Sequence, residues 1–541
     1  MSTSDRPNIL WISVEDTTPR FGCYGDTVAR TPNIDRLAAG GCRFPNAFST
    51  AGVCAPSRSA IITGMYQTSI GTHHMRTTHT NENTPNMPTP YSAVPPPHVK
   101  TFTEYLRGAG YYCTNNSKTD YQFTPPITAW DVCDNTGHWR NREAGQPFFS
   151  VFNPTVTHES GMWEREDRPL TTTTNPDDVE LPPYLPDTPK ARQALARQYD
   201  NLMTADAHVG ELLDQLEENG LAENTIVFLW SDHGEGLPRG KRWPYDAGIR
   251  IPLIVRWPDT LAAGSVSEQL VSLIDLGPTV LSLCGVQAPT HLQGQPFLGA
   301  EKIEREYIFA TRDRYDESYD MVRAVRDRRY KYIKNYYPEK PYLLWIPYRN
   351  RHPIMQEMWQ LYAAGELEGD QAVMFRSPRP AEELYDVEND QYELNNLATD
   401  PAYHNALERM RGALTQWQSE FGDMGDISEE QMVARWYPDG IQPQTAAPIF
   451  IPINAEQPGT TVADEDGEWS APLVLQLHCS TQGASIAYTT EQGNGAHWRL
   501  YTDPLRIAEG ETIVRAKAIR IGYHESEENT IHLKVSQGDH E

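Results

Sequence analysis

Cysteine is scarce in this chain: seven in 541 residues, at positions 23, 42, 54, 113, 133, 284 and 479, with no CxxC pair among them. An odd, scattered set excludes a dense disulfide framework and a structural zinc site, and leaves most of these residues as buried thiols. Long apolar runs are missing too, and no stretch of the sequence can span a membrane. Positive charge is in short supply, with 46 Lys and Arg against 73 Asp and Glu and a net charge of −27. So acidic a surface repels phosphate backbones and excludes nucleic acid as a partner. Any anion site must be a local cluster of Lys, Arg and His inside a pocket. Residues 1–7 are polar, with no secretory signal. The sequence therefore reads as cytoplasmic, or as periplasmic or secreted if a leader has been removed.

The chain is too long for one ordinary core, and its 39% hydrophobic content can fill two or three. Residues 8–14 (NILWISV), 147–153 (PFFSVFN), 225–230 (TIVFLW), 251–255 (IPLIV) and 307–310 are short apolar runs that read as buried parallel strands. Residues 190–219 carry Leu195, Tyr199, Leu202, Val209 and Leu216 at helical spacing, and Gly220 sits where a C-terminal cap belongs. A shorter helix spans 101–107. Strands alternating with helices predict an α/β fold with a mainly parallel sheet flanked by helices. Past about residue 320 the pattern changes to a small antiparallel subdomain, with strands within 321–333, a polar, turn-rich stretch at 382–397 and a helix over 402–421. The predicted divisions are a catalytic α/β domain at 5–340, a C-terminal subdomain at 341–436, a linker at 437–468 and an all-β module at 469–541.

Polar residues just past the ends of parallel strands sit where such sheets place their active sites. Glu15 and Asp16 follow one strand, and Asp232 and His233 follow another. Carboxylates from separate strands can converge on one hard cation, although any one of them alone is more often a cap. Cys54-Ala-Pro56-Ser-Arg58 precedes Ser-Ala-Ile-Ile-Thr-Gly. A nucleophile at a helix start lies where free N–H groups favour an anion, and Arg58, one turn on, faces the same side.

Cys54-x-Pro56-x-Arg58, continued as SAIITG, resembles the signature of the type I sulfatases. Other segments agree in order: RPNILWISVED at 6–16, TPNIDRL at 31–37, SDHG at 231–234, GKRWPYDAGIRIP at 240–252, and ELYD with Asn396-Leu397-Ala398. The resemblance covers about residues 5–430 and implies an alkaline-phosphatase-like fold. It implies that a maturation enzyme oxidises Cys54 to formylglycine (3-oxoalanine). One hydroxyl of the hydrated aldehyde then attacks sulfur, and the other expels sulfate afterwards. By the same resemblance Glu15, Asp16, Asp232 and His233 bind the cation with residue 54. Calcium is the usual ion, with manganese or another divalent ion as the alternative for a site containing histidine. Arg58 holds the hydrate, Lys118 and Lys241 neutralise sulfate oxygens, and His158 protonates the leaving oxygen.

Two departures from the pattern stand out. Glu15 occupies a position that is Asp in many relatives. Lys118-Thr-Asp120 replaces the usual Lys-x-His, so Asp120, or a histidine from another loop, takes over the proton. Substrate contacts are expected from His73 or His74, from His138 beside Trp139, and from Arg312, Arg314 and Asp316. The overall pattern resembles sulfatases acting on glycans, and the segment beyond 472 resembles the β-sandwich appended to chitobiases and hexosaminidases. The expected partners are therefore a sulfated glycan and the maturation enzyme, with no nucleic acid and no membrane; the oligomeric state stays open. Two rival readings remain: a phosphonate monoester or phosphodiester hydrolase on the same fold, and a non-catalytic binder of sulfated glycans.

Overall fold

A computed structural model describes residues 6–80, 82–164, 171–463 and 466–537; the polar start at 1–5 lies outside the described residues. The central sheet is built from β1 (Asn8–Ser13), β2 (Tyr112–Asn116), β3 (Phe148–Phe152), β4 (Thr225–Trp230) and β5 (Leu253–Arg256), with short edge strands at Cys42–Arg43 and Ser265–Val266. Its spatial order is β2-β3-β1-β4-β5 and then the two edge strands. The strands β2, β3, β1 and β4 run parallel, with Ile9 opposite both Phe149 and Ile226.

Every residue of β1 is buried because both sheet faces are covered. Ile9 and Trp11 pack with Phe149, Phe228 and Trp230 on one face. Leu10 and Ile12 join Val227, Leu229 and the helix α2 (Pro189–Glu218) on the other. Thr188 caps the start of α2 by accepting from the Ala191 N–H at 3.2 Å, and Gly220 takes φ +65° just past its end, as its position in the sequence predicts. A buried helix, α1 (Cys54–Thr63), lies under the carboxyl ends of the parallel strands.

Four expectations need correction. The run at 251–255 is broken at Pro252, and its second half, β5, lies antiparallel to β4. The run at 307–310 belongs to β6 (Ile308–Arg312), which pairs antiparallel with β7 (Val322–Arg326) in a separate four-stranded sheet. A short apolar run reports burial on both faces and carries no information on strand direction. The turn-rich stretch at 382–397 opens with a strand, Glu382–Asp386, which pairs with Tyr330–Asn335. Its alternation was hidden because Glu383 is a fully buried carboxylate, held by the hydroxyls of Tyr245 and Tyr385. The stretch 437–468, read as a linker, supplies Ile449–Ile453 to the β module, where it pairs with Leu473–His478.

The module stacks two sheets over Phe450, Leu475, Leu477, Val514, Ile531 and Leu533. It sits against the α/β domain. Lys100 donates to Gly483 O and Ser485 Oγ, both at 2.7 Å, and Arg107 donates to Trp498 O at 2.6 Å. Gly483 has φ +79°, and a Cβ there would lie 2.2 Å from Pro97 O, so only glycine permits this approach. All seven cysteines are free thiols.

Candidate active site

The carboxyl ends of β1, β3 and β4 deliver the candidate residues to one place. The chain leaving β1 turns at Asp16, whose φ of 48° aims its carboxylate back at the Asp232 loop. The Asp16 N–H donates to Asp232 Oδ1 at 3.3 Å. Cys54 opens α1 between them. Its Sγ lies 3.3 Å from His233 Nε2, 3.6 Å from Glu15 Oε1 and 3.9 Å from Asp16 Oδ1. Arg58, one turn further, donates to Asp232 Oδ2 at 2.9 Å and to Asn153 Oδ1 at 2.9 Å, which ties the ends of β3 and β4 to the helix. Burial, reinforced by Asp232 and Asp16, pushes the Cys54 thiol well above its ordinary range. The unmodified side chain is therefore a neutral thiol, not a thiolate nucleophile.

Among the described residues, two overlapping groups offer converging metal-ligand atoms: Asp16, Cys54, Asp232 and His233, and Glu15, Asp16, Cys54 and His158. His233 gives a test of fit. Its Nδ1 lies 2.9 Å from Gly234 O, which can only accept, so Nδ1 carries the proton. In the neutral ring Nε2 then presents a lone pair to Asp16 Oδ1 at 2.9 Å. Two electron-rich atoms that close need a cation against them, and a carbonyl fixing the far nitrogen is the usual support of a metal-binding histidine. The residues present fit a divalent ion.

Cations surround this acid cluster. Lys241 Nζ is 2.6 Å from Asp16 Oδ2 and 3.2 Å from His158 Nε2, and Lys118 pairs with Glu15. Burial works against ionising Asp16, but Lys241 beside it outweighs that and holds the carboxyl well below its usual range. Arg58 does the same for Asp232 against the same opposing burial. Ser160 holds His158 Nδ1 (Oγ at 2.9 Å), so Nε2 is the nitrogen turned toward Lys241. Burial and then Lys241 lower the His158 pKa to about 4. A cavity of about 480 Å³ opens over Cys54, and Lys118, Asp120 and His158 stand on its wall.

The remaining candidates are placed as follows. Asp120 stands on this wall, 3.4 Å from Lys118, with its side chain 43% exposed; His79, from a different loop, lines the same cavity. Arg314 and Asp316 line an adjoining cavity. His74 lines a third, and His73 is fully buried behind it. Arg312 is buried against Asp320 and the Trp243 ring. His138 is not brought to these cavities: it bonds Gln215 of α2 at 3.1 Å and packs on Trp139, itself a core residue. Sequence reasoning missed Glu159, which takes both Arg242 amines at 2.7 and 2.9 Å and whose N–H donates to Asp16 Oδ2 at 2.7 Å. It also missed Arg76 and Tyr348. The position of Glu159 next to His158, and of Arg242 next to Lys241, was the available signal.

Comparison with known proteins agrees with this geometry. The sulfatase family profile matches residues 7–137 and 116–286, and the profile described as N-sulphoglucosamine sulphohydrolase, C-terminal, matches 234–374. An ulvan-active sulfatase of Formosa agariphila is 41% identical over 96% of this chain and 90% of its own length. Human N-sulphoglucosamine sulphohydrolase is 28% identical over 83% of the chain and 95% of its own length. Among solved structures, a 2-O GAG sulfatase superposes with a TM-score of 0.57 at 20% identity, covering 78% of this chain and 94% of that one. The chain belongs to the sulfatase family and is a sulfuric ester hydrolase. A phosphonate monoester hydrolase of Agrobacterium radiobacter superposes with a TM-score of 0.56 at 15% identity over 79% of this chain and 99% of that one; a likeness at that level is one of fold alone. Neither the phosphonate hydrolase nor the non-catalytic reading is favoured.

Proposed function

We propose that the protein is a formylglycine-dependent sulfatase that removes sulfate from a carbohydrate, with an ulvan-like sulfated polysaccharide as its substrate. The observation that carries this reading is the position of Cys54. A thiol too buried to ionise stands at a helix N-terminus, against His233, Glu15 and Asp16, within a family whose catalytic group is made from that cysteine. The ulvan assignment draws on the 41% identical relative.

Formylglycine, once formed at position 54, would supply a hydrated aldehyde whose hydroxyl is the nucleophile. Glu15, Asp16, Asp232 and His233 would hold a divalent ion, and calcium suits a set with three carboxylates; the ion would lower the pKa of that hydroxyl. The rest is the work of the chain's own residues. Lys118 on the cavity wall, and Lys241 buried next to His158, would meet the sulfate oxygens as charge builds on them. Arg58 fixes Asp232 and the start of α1. His158 rests neutral because burial, and then Lys241 beside it, disfavour its charged form. A bound sulfate group cancels part of that positive field, raises the affinity of Nε2 for a proton and readies it to protonate the leaving oxygen. Asp120 or His79 serves the later proton transfer from the cavity wall.

The test is mass spectrometry of the peptide spanning Cys54 after co-expression with a formylglycine-generating enzyme, followed by sulfate release from ulvan. Replacement of sulfur by an aldehyde oxygen, with sulfate released, supports the reading. Unmodified cysteine, in cells that convert a known sulfatase, sinks it.

A further inference from the structure

The cavity over Cys54 does not end there. It shares Arg76, His79 and Tyr348 with a neighbouring cavity of about 270 Å³. That one in turn shares Asn83, Met87 and Glu317 with a third of about 960 Å³. Together they form a trench leading away from the catalytic residues, larger in total than a single bound sugar requires.

The two ends of the trench differ in chemistry. Near Cys54 the walls carry Lys118, Arg76 and, slightly further on, Arg351. The far cavity carries Asp426, Glu339 and Glu430, exposed carboxylates for which no ion pair is found among the described residues. A sulfate or uronate would be repelled there. The far cavity also presents aromatic surface: Tyr319 and Tyr337 line it, 42% and 39% exposed. Lys340 holds the pair in place, lying 4.4 Å over the Tyr337 ring and donating to Tyr319 O at 2.7 Å. His74 lines the same cavity. Its Nδ1 accepts from the Arg314 N–H at 3.3 Å, so the neutral ring carries its proton on Nε2, which is buried without a partner. An apolar ring face, carboxylate acceptors and one neutral N–H donor together match an uncharged, hydroxyl-rich ring.

We propose that the far cavity is a subsite for an uncharged sugar of the same glycan chain whose sulfated unit sits at Cys54, so that the enzyme reads several sugar units in one trench. This rests on the glycan reading above and extends it. His74 then belongs to the distal sugar and not to the sulfate.

The test is calorimetric titration of the full-length Cys54→Ala variant, which leaves the ligand intact, with ulvan disaccharide and tetrasaccharide. The expected result is tetrasaccharide binding at least about tenfold tighter, with the advantage lost in a Tyr337→Ala background. Joint Glu339→Lys and Glu430→Lys substitution is expected to tighten an over-sulfated tetrasaccharide several-fold over the same protein without the charge changes. Equal binding of the two lengths, or an equal loss for both on Tyr337→Ala, overturns the subsite while leaving the ulvan reading standing. Absence of binding by either length overturns the ulvan reading, and this subsite's ligand with it.

Discussion

The catalytic pole and the C-terminal module are held together by opposite means. Around Cys54, charged groups are buried in interlocking pairs: Asp16 with Lys241, Asp232 with Arg58, Glu159 with Arg242. Burying charge is costly, and an apolar core of the same shape would be at least as stable. The module instead buries Leu475, Leu477, Val514 and Leu533 and keeps Arg515, Lys517 and Lys534 on the strand positions that alternate with the buried ones. The contrast separates what chemistry demands from what folding demands. A charge removed at the pole takes function with it, whereas one removed at the module's border takes stability.

The sharpest way to break that contrast is at Cys54. Cys54→Ala is expected to lower sulfate release by at least about 10³-fold, since covalent catalysis has no other nucleophile here. Its melting temperature should stay close to the parent's, because a small buried side chain is exchanged for a slightly smaller one. Sulfate release and a thermal melt on the same preparation read both. A large fall in melting temperature would mean that the pole, too, is built for stability.

Lys241→Ala comes next. It removes a donor aimed at the sulfate oxygens and leaves Asp16 without its closest cation. A loss of about 10²-fold in kcat is expected, with a smaller change in KM, as for a group whose interaction strengthens in the transition state. Steady-state kinetics on an aryl sulfate measures the split. An effect on KM alone would make Lys241 a simple binding residue.

The border with the module should respond in the other way. Asp131 accepts from Arg107 at 2.9 Å and from the Cys113 N–H at 2.7 Å, and it faces His497 of the module at 3.0 Å. Asp131→Ala leaves Arg107 short of its carboxylate partner and is expected to cost about 3 kcal/mol, with kcat unchanged. Urea unfolding checks the first and turnover the second. A fall in kcat would tie the module to the chemistry.

The same contrast explains what the sequence disclosed. The strands β1 and β4 were legible to within a residue, because continuous apolar runs ending in acidic residues are both a folding signal and a site signal. The acids just past those strands were legible for the same reason, whereas Cys54 was legible only through the Cys54-x-Pro56-x-Arg58 signature. Strand direction at 251–255 and 307–310 was not, since pairing partners are distant in sequence. Nor were Glu383 and Glu159, whose charges look like surface residues until the structure reveals the tyrosines and arginine that neutralise them. Arg76, Tyr348 and His79 reach the cavity from loops, and loop paths leave no periodicity to read.

Acid offers the mildest test. His73, His74 and His352 are buried and His158 is half-buried around the pole, and burial lowers the pKa of each. His352 is the cleanest, because it caps the helix Pro353–Ala364 by accepting from the Ile354 N–H at 3.2 Å, away from the metal-side residues. Its pKa falls from 6.5 to about 4. Between those values the unfolded chain holds a proton that the folded chain does not, so stability rises with pH. His352 therefore contributes its full share above about pH 6.5, and that share drains away as pH falls toward 4. The loss from pH 7 to pH 5 should be about 2 kcal/mol for this residue alone. His352→Asn keeps an N-cap acceptor and removes the titration. Urea melts at the two pH values should show the variant losing about 2 kcal/mol less than the parent. An identical loss in both would place the acid sensitivity elsewhere, and the other buried imidazoles would be the next to substitute.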